Sequence, residues 1–199
     1  MVLKYKGKFR IESTRLKCFD YSRNGAYFVT ICTKNKIHLF GEIENDNNDH
    51  VDNVHVDNVH GDNVHGDNVE TGLRPVSTTI SSPKMKLSDF GKIVADCWYD
   101  LPNHYSNIIL DEFVVMPDHI HGIIIIRNGS DNKIKHGISE FIRAFKSFSS
   151  RRINEFNAVT VKSRIWQPRF YDRIIRSDNE LNRVRLYIKN NPANFHRNT

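Results

Sequence analysis

The chain has 199 residues and a formal net charge of +6, a length that allows one domain with a buried core. Residues 45–83 carry seven acidic side chains and one basic side chain, so the remaining residues carry a net charge of +12; such basicity is typical of proteins that bind polyanions, nucleic acid before an anionic membrane surface. The three cysteines are scattered, so we expect no disulfide framework and a cytoplasmic location. No apolar run follows the basic N-terminus, so we expect no secretory signal. No apolar run reaches bilayer length, so we expect no membrane span.

The first predicted elements form a strand pair. Residues 26–33 are rich in β-branched and aromatic side chains, which predicts a strand. Residues 36–43 follow closely enough to pair with this strand as a hairpin.

Residues 51–70 then repeat a Val/Gly-Asp-Asn-Val pattern with a period of five residues, which fits neither a helix nor a strand. The recurring His50, His55, His60 and His65 beside aspartates would suit metal capture, whereas slippage of a repeated gene segment would produce the same pattern in a low-complexity loop. We favour the second interpretation. Residues 45–83 are therefore predicted as a disordered, acidic low-complexity insertion, and residues 1–44 and 84–199 as the single domain that it interrupts.

After the insertion, helices and strands alternate. A helix is predicted from Ser88, strands at 108–115 and 119–126, and a second helix whose apolar face begins at Ile138. A short extended segment at 169–175 leads into the last helix.

That last helix begins with the capping box of Ser177 and Glu180, and Pro192 is expected to end it. The order of elements predicts an α+β fold, an antiparallel β-sheet with helices packed on it.

A pair of histidines opens the most apolar predicted strand. His119 and His121 lie two residues apart, so both side chains share one face of the strand while Ile120 points to the other. Two neutral imidazoles side by side form half of a divalent-metal site. Two histidines that bond to backbone or solvent at a strand end would give the same pattern, and the pair alone does not decide between these interpretations.

The last predicted helix carries a second pair of polar residues. Tyr187 and Asn191 are four residues apart and therefore on one helix face, beside an apolar stripe that would dock the helix on the sheet. An amide oxygen is a donor that Mg²⁺ or Mn²⁺ accepts. Taken singly, Tyr187 is better explained as a boundary residue of an amphipathic helix and Asn191 as a helix-ending residue before a proline.

Taken together, these features resemble a known family, the single-tyrosine HUH transposases and in particular the REP-associated tyrosine transposases. The specific signature is His-x-His followed far downstream by Tyr-x-x-x-Asn-Pro, here His119 to His121 and Tyr187 to Pro192. The resemblance covers nearly everything outside residues 45–83. Its segments are 21–22, 27–33, 39–43, 113–122, 145–148, 166–167, 174–176 and 187–192.

The resemblance implies a ferredoxin-like or RRM-like HUH fold in a single catalytic domain. It also implies that His119 and His121 bind a divalent metal, Mg²⁺ or Mn²⁺, and that Asn191 stands where the family has its third ligand, although the wider superfamily often has Gln there. Tyr187 matches the nucleophile, which attacks a phosphodiester of single-stranded DNA and becomes linked to a 5′ phosphate.

This chemistry suits the residue types. A phenol with an ordinary pKa of about 10 is a poor nucleophile at neutral pH and needs activation. A metal would polarise the scissile phosphate and help to release the 3′-hydroxyl. Because a phosphotyrosine stores the bond energy, the strand can be rejoined without ATP. The sequence contains no P-loop, no Gly-x-Ser-x-Gly motif and no paired acidic cluster of a two-metal nuclease.

The C-terminal part of the chain is the predicted DNA-binding region. Residues 133–199 hold 15 basic and 5 acidic residues, with Trp166, Phe170 and Tyr171 among them, which suits phosphates and unstacked bases of single-stranded or hairpin DNA. A solvated charged face is the alternative. The candidate DNA-binding residues are Arg143, Lys146, Arg151, Arg152, Arg169, Arg173 and Arg176.

Our leading hypothesis is an enzyme of DNA transposition and recombination that nicks and rejoins single strands. One alternative is a domesticated protein that binds DNA or RNA hairpins without cleaving them, and another is metal sequestration by the histidine repeat. The family includes monomers and dimers that share helices, so a homodimer is one of the two oligomeric states that the resemblance allows.

Overall fold

The computed structural model describes residues 15–16, 18–44, 83–129, 136–158 and 163–195, and the backbone of two short paired strands near the N-terminus. The acidic repeat lies outside the described residues, so its predicted disorder and the predicted division into domain and insertion stay predictions. In chain order the elements are β1 (Lys4–Tyr5), β2 (Lys8–Phe9), β3 (Gly25–Cys32), β4 (Gly41–Glu44), β5 (Lys84–Leu87), α1 (Asp89–Tyr99), α2 (Leu101–His104), β6 (Ile108–Val115), β7 (His119–Ile126), α3 (Ile138–Phe156), β8 (Tyr171–Ile175) and α4 (Asp178–Asn194).

Four of the strands form the central sheet, in the order β6-β7-β3-β8, and every neighbouring pair is antiparallel. The isoleucine-rich β7 and the aromatic and β-branched β3 occupy the two central positions, where both faces of a strand are covered. The predicted α+β class, an antiparallel sheet with packed helices, is confirmed.

Helices cover the two faces of the sheet unequally. On one face, Tyr27, Val29 and Ile31 of β3 are fully buried in the large core that α1 and α3 complete. On the other face, Phe28 of β3 belongs to a small apolar cluster closed by Ile188 of α4. Because successive strand residues point to opposite faces, this alternation assigns α4 to one layer and α1 and α3 to the other. None of the helices in the described part of the chain is long and apolar enough to cross a membrane.

The predicted hairpin of residues 26–33 with 36–43 is wrong. After β3 the chain makes a one-turn 3₁₀ helix with Asn35 and Lys36 at positive φ, and the N–H groups of Leu39 and Phe40 bond to the carbonyl of Pro117. This turn leads the chain away from β3. The strand that follows, β4, pairs instead with β5, on the far side of the acidic repeat.

The predicted helix end at Pro192 is also wrong, because α4 continues to Asn194 with Pro192 inside it. A proline removes one N–H from the helical ladder but keeps a helical φ, so a final turn can include it at the cost of one hydrogen bond. The predicted N-terminus is confirmed: the Ser177 hydroxyl accepts from the Glu180 N–H at 3.2 Å, and the Glu180 carboxylate accepts from the Arg176 N–H.

Gly122 couples the large core to β7. It faces the fully buried Trp98 of α1, and a Cβ placed on Gly122 would lie 2.4 Å from the indole ring. Trp98 is held in turn by Phe113, whose ring stacks on it at 4.7 Å, and by Phe145. The indole therefore cannot retreat to admit a methyl group.

We expect Gly122→Ala to lower the free energy of unfolding by about 1–3 kcal/mol, the usual cost of overpacking a filled core. Chemical denaturation monitored by Trp fluorescence measures it. Gly129→Ala is the matched control, since no atom lies within 4 Å of its added methyl group, and it should change stability by less than about 0.5 kcal/mol. Equal stability of the two variants would show that the Trp98 contact is not limiting.

Candidate active site

The candidate site begins where the chain turns from β6 into β7. Residues 116–118 form the turn that connects these two antiparallel strands. His119 and His121 follow it and project from the sheet face that α4 covers. Ile120 points the other way and is fully buried in the large core. Pairing with β3 sets His121 opposite Thr30 and His119 opposite Cys32. The predicted shared face of the two histidines is thus observed.

The two imidazoles face each other through their Nε2 atoms, which are 3.1 Å apart. Each Nδ1 atom has its own partner: the Asp118 carboxylate lies 2.5 Å from that of His119, and the Thr30 hydroxyl lies 2.8 Å from that of His121. A carboxylate can only accept, so Asp118 places the His119 proton on Nδ1 and leaves Nε2 with a lone pair. When His121 donates from Nδ1 to Thr30, its Nε2 is an acceptor as well.

Tyr187 lies against this pair. Its hydroxyl oxygen is 3.3 Å from His121 Nε2, and its ring meets Phe28 edge to face at a centroid distance of 6.0 Å. The side chain is 50% exposed, so the phenol is supported from below and open to solvent. It borders an open cleft of about 490 Å³ that also contains both histidines.

Asn191 lies one helical turn beyond Tyr187, is 8% exposed and lines the same cleft. The turn between them is anchored by Ile188, which is fully buried on the sheet. The structure therefore brings together all four residues that the sequence predicted for the site. In the described part of the chain, no three His, Cys, Asp or Glu side chains converge as a metal site. The donors that the sequence predicted, two imidazoles and one amide, all line the cleft.

Burial sets the protonation of the site. His121 is 5% exposed, and this desolvation, reinforced by the neighbouring His119, lowers the pKa of His121 to about 3. Burial likewise raises the pKa of the Cys32 thiol, with the Asp118 carboxylate acting in the same direction. At neutral pH the floor of the cleft thus holds a neutral imidazole and a protonated thiol.

The predicted DNA-binding residues do not form one surface. Arg143, Arg151 and Arg152 lie on α3, whose layer is separated from the cleft by the sheet. Arg173 of β8 lies directly opposite Phe28 of β3 in the strand register, so it is on the cleft face of the sheet. Its guanidinium binds the Glu180 carboxylate at 2.6 Å. Arg169 and Arg176 flank the same edge strand, β8, and are exposed.

Two residues of the predicted DNA-binding region, Lys146 and Trp166, use their polar groups for contacts within the protein. Lys146 is half-buried, and its ammonium group donates to the carbonyls of Gln167 and Arg169 at 2.8 and 2.9 Å. Its desolvation lowers the pKa of Lys146 to about 8. The prediction that Trp166 faces DNA is wrong: it is 4% exposed and donates to the Ser149 hydroxyl.

Several cleft residues were not found from the sequence. Thr30 belongs to a strand 91 residues away from His121, and no local pattern marks it. Asp118 directly precedes the histidine pair, and its position beside them was a usable signal. Lys36, in the positive-φ turn after β3, also lines the cleft.

Fold and cleft together define an α+β protein in which a phenol hydroxyl meets paired imidazoles on one sheet face. Residues 96–191 match the family model described as "Transposase IS200 like", a segment that contains β7 and α4 as far as Asn191. Over this segment, just under half of its length, the chain is similar to the IS200-like transposases.

Three individual proteins are similar to the chain. An uncharacterized protein of Haemophilus influenzae is 28% identical over 213 residues, which cover 96% of this chain and 94% of the relative. The solved structure of a REP-associated tyrosine transposase bound to a REP hairpin is 17% identical, with a TM-score of 0.49, over 92% of this chain and 73% of its own. A candidate transposase of Deinococcus radiodurans R1 is 15% identical, with a TM-score of 0.44, over 89% and 97%.

We expect His121 to remain neutral from pH 8 to pH 5, because its pKa in the folded protein is far below that range. The unfolded chain, with an ordinary histidine pKa of about 6.5, takes up a proton in this interval. Stability from this group is thus fully present above about pH 6.5 and falls as the pH decreases toward 3.

The ¹⁵N shifts of the His121 ring measure this directly and should stay at neutral-imidazole values between pH 8 and 5. A midpoint near pH 6.5 would contradict the buried environment. Denaturant unfolding should show a smaller loss of stability below pH 6.5 for His121→Gln than for the unaltered protein.

Proposed function

We propose that this protein nicks and rejoins single-stranded or hairpin DNA, with Tyr187 as the nucleophile and a divalent metal, Mg²⁺ or Mn²⁺, held by His119, His121 and Asn191. The observation that carries the proposal is the placement of the Tyr187 hydroxyl 3.3 Å from His121 Nε2 in an open cleft. A half-exposed phenol beside two imidazoles is chemically suited to attack on a phosphodiester. The similarity of residues 96–191 to the IS200-like transposase family model supports the same reaction class.

The residues present fit a divalent ion. Nε2 atoms 3.1 Å apart match two ligands at about 90° on an ion with bonds of roughly 2.1–2.2 Å. Asp118 and Thr30 hold the two rings from behind, the arrangement in which a carboxylate or other acceptor orients a ligating histidine. The buried Asn191 amide supplies an oxygen donor from α4. Such an ion supplies Lewis-acid polarisation of the scissile phosphate.

The proposed step conserves atoms and charge. The phenol oxygen of Tyr187 forms a bond to the phosphorus and loses its proton to solvent or a nearby base. The bond from phosphorus to the 3′ oxygen breaks, and that oxygen leaves as a hydroxyl after taking up a proton. The product is a 5′-phosphotyrosine, and attack by a 3′-hydroxyl reverses the reaction to rejoin the strand.

A nucleic-acid partner is supported by charge. The domain outside residues 45–83 carries a net charge of +12, and Lys36 and Arg173 lie on the cleft side of the sheet. Among the structures similar in fold, one holds a REP hairpin. We therefore propose hairpin DNA as the substrate class, and a cytoplasmic protein, monomeric or homodimeric, that acts in DNA transposition or recombination.

The decisive experiment incubates a labelled single-stranded hairpin with the protein and Mg²⁺ or Mn²⁺. We expect a covalent protein–DNA adduct that survives denaturation and that decreases at least about 100-fold in Tyr187→Phe, because the attacking oxygen is gone. Tyr99→Phe, at an exposed tyrosine of α1, is the matched control and should retain the adduct.

An adduct of equal yield in Tyr187→Phe would exclude Tyr187 as the nucleophile. Tight hairpin binding with no adduct under any metal condition would favour the alternative, a hairpin-binding protein that does not cleave. Loss of metal binding only on deletion of residues 45–83 would instead favour metal sequestration by the histidine repeat.

Metal dependence is tested separately. We expect His119→Ala to lower the rate of adduct formation by about 100-fold or more and to weaken Mn²⁺ binding in calorimetry, because it removes a ligand whose lone pair faces His121. His136→Ala, a histidine paired with Glu140 on the α3 side, is the control. EDTA should abolish the adduct of the unaltered protein. Mn²⁺ binding that is unchanged in His119→Ala would refute the proposed site.

A further inference from the structure

The helix that carries Tyr187 is weakly anchored by apolar contacts. Among its 17 residues, the buried ones are Ile188 and Asn191. Ile188 packs into a small cluster with Phe28, Ile123 and Ile175, and Leu181 and Val184 are partly buried beside it. So small an apolar contact resists lifting of the helix, but it defines rotation about the helix axis and sliding along it poorly, because aliphatic contacts are non-directional.

Besides the Arg173–Glu180 pair at its first turn, two ion pairs to β6 supply directional contacts at this helix. Arg185 forms a bidentate pair with Asp111, from Nε to Oδ1 at 2.8 Å and from Nη2 to Oδ2 at 2.6 Å. Lys189, one turn further along, binds the Glu112 carboxylate at 3.0 Å. Tyr187 stands midway between these two cations in the sequence. The guanidinium is fixed further by Asn182, whose side-chain oxygen accepts from Nη1 at 3.1 Å.

Both carboxylates come from an irregularity in β6. The register between β6 and β7 shifts between Leu110 and Phe113, so Asp111 and Glu112 stand outside the regular pairing. In a regular strand, two consecutive side chains point to opposite faces of the sheet. Here both reach α4, which is the kind of redirection that a β-bulge produces next to functional sites.

We propose that Asp111 and Glu112, the acidic bulge, are positioning residues that hold the tyrosine helix in the register required for strand cleavage. This proposal rests on the proposed role of Tyr187 as nucleophile. The residues of the acidic bulge are not among those that line the cleft. The acidic bulge acts through Arg185 and Lys189 on the angle at which the Tyr187 hydroxyl meets His121.

The geometry explains why a surface contact can control a rate. A side chain ends roughly 6 Å from the axis of its helix, so a rotation of about 10° displaces its tip by about 1 Å. A displacement of that size at the reacting atom costs on the order of 100-fold in rate. The ion pair also keeps Asp111 ionised, because the Arg185 guanidinium, through two hydrogen bonds, holds the pKa of the Asp111 carboxyl below its usual range.

The test uses Asp111→Asn and the exposed pair Glu112–Lys189, whose partial exposure allows charge reversal. Single-turnover adduct formation at saturating hairpin should slow about 10-fold or more in Asp111→Asn and in Glu112→Lys. The hairpin Kd, measured in a Tyr187→Phe background, should change less than about 2-fold. Glu112→Lys combined with Lys189→Glu has the original net charge and should recover most of the rate. Glu44→Gln, which breaks the exposed ion pair with Lys86, is the control and should leave the rate unchanged.

A second readout does not depend on cleavage. With 3-fluorotyrosine at position 187, the DNA-free protein should give one ¹⁹F resonance that shifts or broadens in Asp111→Asn and Glu112→Lys and returns in the double reversal. Unchanged spectra and rates in Asp111→Asn would overturn the proposal, as would a folded double reversal that recovers neither signal. If the unaltered protein forms no adduct at all, the proposed function fails, and the ¹⁹F spectra alone decide whether the acidic bulge positions the helix.

Discussion

The antiparallel pairing of β7 with β3 is the constraint on which the rest of the site depends. This register sets the Thr30 hydroxyl beside Nδ1 of His121. It also places Nε2 of His119 within hydrogen-bonding distance of Nε2 of His121. A slip of one residue would turn both histidines into the large core and expose Ile120, so the burial of one face enforces the chemistry of the other. The same register creates the apolar cluster around Phe28 onto which α4 docks.

The two imidazoles illustrate how position alone differentiates identical side chains. His119 follows a corner and keeps a carboxylate partner from the preceding residue, whereas His121 lies one pleat deeper and has a neutral hydroxyl partner. Burial then keeps His121 uncharged over the physiological pH range, so that no proton occupies the lone pair of the ring. In the proposed metal site, both rings would offer an Nε2 lone pair to the same cation.

Local periodicity accounts for what could be predicted from the sequence. The shared face of His119 and His121 follows from the two-residue repeat of a strand, and the alignment of Tyr187 with Asn191 follows from one helical turn. What failed or was missed depends on contacts between distant segments. Thr30 is brought in by strand pairing, β4 finds its partner across the acidic repeat, and Lys146 is held inward by two carbonyls. The acids at 111 and 112 carry no local signal, because only the irregular register of β6 turns both toward α4.

The contact between Gly122 and Trp98 has an evolutionary consequence. The strand of the histidine pair and the buried face of α1 share one volume, which is filled completely when the first position is glycine and the second is tryptophan. A lineage can therefore exchange neither residue alone without crossing a less stable intermediate, and the two positions should change together or not at all. The packing of the large core on one face of the sheet thereby restricts which sequences can carry two histidines on the opposite face.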